Sequence, residues 1–152
     1  MPSSKKAYLT MLALADEANI NTIIDLGSGW GNFIIAMAQK APAKEIIGYE
    51  LSILPWLYTK ALIKFYRINN ITLYRQDFYQ VKLPKSAVLV CYLYPQAMQK
   101  LAEKLTLKND ISGYLISNNF ALPSWQPCKT LRLDDFYNSP IYLYKLAPES
   151  NA

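Results

Sequence analysis

Three carboxylates and three glycines carry most of the chemistry legible in this chain. Asp25 opens the run Asp25-Leu26-Gly27-Ser28-Gly29-Trp30-Gly31, in which glycines occupy alternate positions. Glu50 follows in Tyr49-Glu50-Leu51 and Asp77 in Gln76-Asp77-Phe78, at near-equal intervals. Alternating glycines let bare backbone N–H groups approach a ligand. A dinucleotide fingerprint needs G-x-G-x-x-G, and here Gly27 and Gly29 are followed by Asn32 in the third place. A Walker A loop needs Gly-Lys-Ser/Thr, which Trp30-Gly31-Asn32 does not supply. A carboxylate beside the loop repels phosphate and suits a cationic or hydroxyl-rich ligand. Glu50 is placed to accept bidentate hydrogen bonds from ribose hydroxyls. Asp77 is placed to accept from an exocyclic amine, with the Phe78 ring over the base.

The composition removes several alternatives. There is no histidine, so Ser-His-Asp and Cys-His mechanisms are out and a zinc or non-haem iron site is disfavoured. Cys91 and Cys128 are isolated thiols without metal-ligand spacing, and Cys91 reads as a small buried hydrophobe. No metal is expected. The net charge of +5 is spread along the chain, which describes a weakly basic surface rather than a nucleic-acid stripe. No apolar run approaches the ~20 residues that span a bilayer, and no signal peptide precedes the first helix. The expected location is cytoplasmic, with a peripheral membrane position as the alternative, and the expected organisation is one domain over residues 1–152.

The elements that must position the carboxylates follow from periodicity. Residues 3–18 form a helix capped by Ser3 or Ser4, with Tyr8, Met11, Leu12 and Ala15 on one face. Strands are expected at 22–26, 45–50 and 71–75, separated by helices at 31–40 and 54–67. Asp25, Glu50 and Asp77 therefore stand at or just past strand ends, one βα unit apart. Right-handed crossovers make such strands parallel, so the three acids share one edge of the sheet, where α/β proteins bind ligands. Residues 86–92 read as a buried central strand, 96–106 as a helix and 111–117 as a fifth strand. Residues 130–133 and 141–146 alternate as an antiparallel hairpin. The fold class is α/β, with seven strands in one mixed sheet.

The Asp-x-Gly-x-Gly-x-Gly run, the acids ending strands two and three, and the hairpin finish resemble a class I S-adenosylmethionine-dependent methyltransferase. A narrower resemblance is to the protein-lysine methyltransferases of the ATP synthase c subunit and the adenine nucleotide translocase, and to their prokaryotic relatives. It rests on Pro2-Ser3-Ser4, Asp25-Leu-Gly-Ser-Gly, Tyr49-Glu50-Leu51, Pro55-Trp56-Leu57, Pro95-Gln96-x-Met98 and Pro123-Ser124-Trp125-x-Pro127. The resemblance implies a Rossmann-like sheet with helices on both faces and S-adenosylmethionine as cofactor. It assigns the ribose to Glu50, the adenine amine to Asp77 and the methionine half to the glycine loop. Asp25, Leu26, Gly27, Ser28, Gly29, Gly31, Glu50, Leu51, Asp77 and Phe78 make up the expected cofactor site. Trp30-Gly31-Asn32 replaces the Asp-Gly-Arg usual in these relatives, and Trp30 is expected to shape or partly fill the methionine end. No upstream apolar anchor is expected.

The acceptor implied is a lysine amine of a protein substrate, membrane proteins included. A free lysine has a pKa of ~10.4 and must lose its proton before attack. Tyr92, Tyr94, Phe120 and Trp125 are the candidate aromatic channel, and a tyrosine hydroxyl or the Asn118 carbonyl the candidate proton acceptor. Tyr94, Asn118 and Trp125 are the catalytic expectation. The rivals are an RNA or small-molecule methyltransferase on the same fold and a non-catalytic cofactor-binding module. Leu93-Tyr94-Pro95-Gln96 lacks an Asn-Pro-Pro-Tyr amide-binding motif, so nucleic acid is not favoured. Residues 78–85 are too few for a crossover helix, and the segment after the fifth strand lacks a helical pattern. One sheet face is thus expected to be thinly covered. It would leave a shallow, Tyr-rich apolar patch for weak homo-oligomerisation, a substrate protein or a membrane surface.

Overall fold

The computed structural model describes residues 5–107 and 111–146. The expected Ser3/Ser4 cap and the Pro2-Ser3-Ser4 motif lie outside the described residues. In chain order the elements are α1 (Lys5–Glu17), β1 (Thr22–Leu26), α2 (Asn32–Lys40), β2 (Glu45–Tyr49), α3 (Ile53–Phe65) and β3 (Ile71–Tyr74). A single 3-10 turn (Phe78–Gln80) follows, then β4 (Ser86–Cys91), α4 (Pro95–Leu107), β5 (Ser112–Asn118), β6 (Lys129–Arg132) and β7 (Pro140–Leu146). Every described strand lies within two residues of its expected bounds.

The seven strands form one sheet in the order β3-β2-β1-β4-β5-β7-β6. β1 to β5 are mutually parallel, and β7 runs antiparallel between β5 and β6. The central strands explain themselves: β4 is buried from Ala87 to Cys91 and β1 from Ile23 to Leu26, as expected for strands covered on both faces. On one face, Met11 and Leu14 of α1 and Ile34 and Met37 of α2 pack on Ile23, Ile46, Val88 and Ile116. α3 reaches the same layer through Trp56, Leu62 and Ile63. On the other face, Met98, Leu101, Ala102 and Leu105 give α4 a single buried stripe. That stripe meets Ile24, Leu89, Leu115 and Tyr144.

The α4 face carries one helix, as the short crossovers require, yet it is better covered than expected. Irregular chain fills it, with Phe78, Leu83 and Leu122 all buried in the cluster. The Lys104 ammonium donates to the carbonyls of Tyr79 (3.0 Å) and Val81 (2.8 Å), and the Tyr79 hydroxyl donates to the Ala97 carbonyl (2.8 Å). The Leu122 N–H donates to the Tyr144 hydroxyl at 2.8 Å. Two clamps to α4 and one to β7 thus let segments without helical pattern close the layer. The expected tyrosine-rich patch shrinks to the outer edge, where half-exposed Tyr74 stacks on buried Tyr49 at 5.6 Å. The larger apolar exposure is on the opposite face, along α3.

Candidate cofactor and acceptor site

β1 ends inside the protein, so Asp25 is a buried carboxyl, 5% exposed. Burial, with a smaller contribution from the Glu50 charge, pushes its pKa up to about 7. The chain then turns through Gly27, Gly29 and Gly31, all with positive φ (82°, 56° and 83°). L-residues pay sterically for that region, which is why glycine recurs at every second position. A Cβ on Gly29 would meet nothing within 4 Å, whereas one on Gly31 would lie 2.6 Å from Thr59 Cγ2. The inner and outer glycines therefore serve different ends: one leaves space open, the other admits α3.

Glu50 closes the turn from the side. Its Oε2 accepts from the Gly29 N–H at 2.6 Å and its Oε1 from the Ser52 N–H at 3.0 Å. Ser28 Oγ is buried and has no hydrogen-bond partner among the described residues. Asp77 sits at the corresponding end of β3, where its Oδ1 accepts from the Tyr79 N–H at 3.0 Å and caps the 3-10 turn. The Phe78 ring is 7% exposed and belongs to the core cluster with Leu83. The expectation that it covers a base is corrected: the turn that Asp77 caps rotates the ring into the sheet layer. Leu51 is exposed beside Glu50.

A cleft of about 470 Å³ opens over the glycine turn, lined by Asp25, Gly27, Ser28 and Gly29, by Tyr8 and Met11 of α1, and by Cys91 and Tyr92 past β4, among others. Glu50 borders it through Gly29, while Leu51 and Asp77 lie farther along the sheet edge and do not line it. Trp30 lines the cleft from its rim: it is half-exposed and packs edge-on against Tyr58 of α3 at 5.5 Å. It therefore shapes the mouth of the cleft, as expected, and leaves the space over Gly29 open. The Tyr8 hydroxyl is pushed upward in pKa by burial and by the Asp25 charge, and its ring meets Phe33 at 5.2 Å. Sequence reasoning placed Tyr8 and Met11 on a core face and missed that this face ends over the site. Cys91 is buried as expected, its thiol pushed up to about 12 by burial.

Beyond Tyr92 the aromatic side chains assemble. Tyr92, Tyr94 and Phe120 form a triangle with centroid separations of 6.4, 6.2 and 6.0 Å. Phe120 is fixed by the Ser117 hydroxyl, which donates to its carbonyl at 2.6 Å. Asn118 ends β5 as a buried residue, one position before Asn119 at φ 75°. Trp125 stands apart from this group. It packs against the α4-face core, its backbone N–H donating to the Leu122 carbonyl at 3.3 Å, so the structure joins three of the four expected channel rings.

A sheet ordered 3-2-1-4-5-7-6, with acids ending its first three strands around a glycine turn, is the class I methyltransferase fold. Comparison with solved structures agrees on the fold. An RNA methyltransferase from Salinibacter ruber, crystallised with S-adenosyl-L-homocysteine, superposes with a TM-score of 0.85 at 23% identity, covering 99% of this chain and 96% of that one. The family model described as the ANTKMT methyltransferase domain matches residues 25–129. The mouse adenine nucleotide translocase lysine N-methyltransferase is 32% identical over 108 residues, 69% of this chain and 46% of that protein. A protein-lysine N-methyltransferase from Saccharolobus islandicus is 24% identical over 95% of this chain and 91% of its own length. The chain thus belongs to the ANTKMT methyltransferase domain family, and it spans about half the length of the mouse relatives.

Proposed function

We propose that this chain transfers a methyl group from S-adenosylmethionine to a lysine amine of a protein. The observation that carries the reading is the Glu50 carboxylate, hydrogen-bonded to the Gly29 N–H at the mouth of a cleft floored by Asp25. The cleft suits this cofactor. Its ammonium and sulfonium charges would restore the ionised form of Asp25, the orphaned Ser28 hydroxyl would gain a partner, and the open space over Gly29 admits the methionine half. Glu50 and Asp77, ending β2 and β3, are the acceptors for ribose hydroxyls and adenine amine. Lysine as acceptor is supported by the names of the relatives, which are lysine N-methyltransferases of the adenine nucleotide translocase and of the ATP synthase c subunit.

The cofactor supplies an electrophilic methyl group on a sulfonium; the chain supplies position and environment. Tyr92, Tyr94 and Phe120 offer three ring faces beside the cleft, suited to holding a lysine ammonium by cation–π attraction. Tyr94 is 65% exposed in the free chain, so a docked substrate would have to close these rings against water, and that closure would favour the neutral amine that must attack. The Tyr94 hydroxyl and the Asn118 carbonyl are the groups proposed to accept a hydrogen bond from the ammonium and so orient it while its proton leaves to solvent water. Holding amine and methyl in line provides most of the remaining acceleration.

The test is incubation of the protein with methyl-labelled cofactor and membrane and ribosomal fractions, followed by acid hydrolysis. N-methyl-lysine carrying the label is expected. Label confined to nucleic acid would overturn the lysine assignment, and tight cofactor binding without any labelled acceptor would leave a binding module.

A further inference from the structure

We propose that the outward face of α3 docks on the surface of an anionic phospholipid membrane. Apart from Thr59, Lys60 and Lys64 the residues of α3 are apolar or aromatic, yet Thr59 is the one residue it buries completely. Its outer face carries Ile53, Leu54, Leu57 and Phe65, with Leu54 71% and Phe65 77% exposed. Positions 53, 54, 57, 61 and 65 share one side of a helix of 3.6 residues per turn. Half-exposed Trp30 and Tyr58, packed edge to face, continue the patch at the end nearest the site. Isolated exposed leucines are ordinary, but a contiguous stripe of this kind marks an interaction surface.

Charge decides which surface. Between Glu50 and Asp77 the sequence contains Lys60, Lys64, Arg67 and Arg75 and no acidic residue. Lys60 and Lys64 border the apolar stripe, both exposed, with the Lys60 ammonium 5.5 Å above the Trp56 ring. A helix with an apolar face, a basic flank and amphipathic aromatics at its rim is the pattern of interfacial helices that lie in the headgroup region. A second copy of this chain would bring like charges together. Single-stranded nucleic acid would find the exposed rings of Trp30, Tyr58 and Phe65 already packed edge-on against neighbouring rings, and Ile53, Leu54 and Leu57 between them, rather than a row of open stacking faces. Ser52, at the start of α3, hydrogen-bonds Glu50, and Thr59 seats the helix on Gly31. A docked α3 therefore sets the mouth of the cleft beside the lipid surface. The inference does not depend on the methyl-transfer reading, because lipid binding is read without cofactor.

The experiment is co-sedimentation of the whole chain with phosphatidylcholine vesicles, with and without phosphatidylglycerol, at low salt. Expected are retention on the anionic vesicles and little on the neutral ones. L54D/L57D should lower anionic-vesicle partitioning at least about tenfold. K60Q and K64Q should each lower it about fivefold, and Trp emission should shift to the blue on binding. Circular dichroism checks that each variant is folded. Failure of the wild type to bind anionic vesicles, or binding unchanged in folded L54D/L57D and in K60Q/K64Q, overturns the proposal. So does a solution dimer that L54D/L57D dissociates, which would assign the face to a second copy.

Discussion

The Gly29 N–H donates to the Glu50 carboxylate at 2.6 Å, so the end of β2 and the turn after β1 are one hydrogen-bonded unit. Through its other oxygen Glu50 also holds the Ser52 N–H at the start of α3. Removing the carboxylate loosens the turn and deletes the proposed ribose acceptor together. Hydrogen bonds to charged groups contribute about 1.5–3 kcal/mol each. Glu50→Ala is therefore expected to weaken S-adenosylmethionine binding about 30-fold or more by calorimetry, with only a modest fall in Tm.

Asp25 links folding and ligand binding to pH. Its carboxyl titrates near 7 in the folded protein against about 3.9 unfolded. Between these values the native state holds the proton that the unfolded state has released, so stability falls as pH rises from about 4 to 7 and is level above. Asp25→Asn lacks that penalty. Urea unfolding should find it more stable than wild type by a few kcal/mol at pH 8, with the difference closing near pH 4. A cationic ligand acts in the opposite sense, since it favours the ionised carboxyl. S-adenosylmethionine should bind wild type more tightly at pH 8 than at pH 6, and Asp25→Asn with no such dependence.

Gly29 and Gly31 separate space from strain. Gly29→Ala meets no atom within 4 Å, so its cost is the positive φ alone, about 1–2 kcal/mol. Its methyl group enters the space proposed for the cofactor, and affinity should fall more than stability does. Gly31→Ala instead drives a Cβ to 2.6 Å from Thr59 Cγ2, which adds an overpacking cost of about 1–3 kcal/mol. Thr59→Ala in the same chain should recover part of that loss. A double-mutant cycle by urea unfolding reads the coupling, and strict additivity would contradict the contact.

The aromatic triangle distinguishes ring from hydroxyl. Phe120→Ala removes one face and should lower kcat/KM for a protein substrate about tenfold, leaving cofactor affinity unchanged. Tyr94→Phe keeps the ring, so any further loss reports the hydrogen-bond acceptor. A kcat that responds to Tyr94→Ala but not to Tyr94→Phe would move that role to Asn118. Trp125→Ala should instead appear as lost stability, because Trp125 packs on the α4-face core.

Asn70 tests a different joint. Its amide nitrogen reaches the carbonyls of Ala38, Ala41 and Lys44 at 3.2, 3.2 and 3.1 Å, fastening the end of α2 to the approach of β2. Asn70→Asp sets a carboxylate against three carbonyl oxygens and should cost about 2–3 kcal/mol at neutral pH, measured by chemical denaturation.

Much of this arrangement is legible in the chain itself, for identifiable reasons. β4 and β1 are near-continuous apolar runs, so both their existence and their central place follow. The strand-end acids follow from the βα repeat, which fixes which edge they share. What resisted reading depended on contacts distant in sequence. Tyr8 overhangs the cleft because α1 crosses to meet α2, which no local pattern records. Phe78 turns inward because Asp77 spends an oxygen on the Tyr79 N–H. α3 shows the same limit: its apolar residues continue round much of the helix, so no local pattern says which side the sheet takes and which stays open.

The sheet order also imposes a sequence of assembly. β6 has β7 as its one partner, and β7 comes later in the chain while lying between β5 and β6. β6 therefore emerges from the ribosome with no strand to join, and it waits through the turn at 133–139 for the next segment. β1 to β3 can add outward one after another, β4 crosses back to the other side of β1 and β5 joins it, but the last two strands must enter as a preformed pair against β5. Closing the longer loop from β5 to β7 is the slower step. Until it closes, β5 is an open edge and Tyr144 is absent from the core, so a nascent chain halted there offers a ready template for a neighbour.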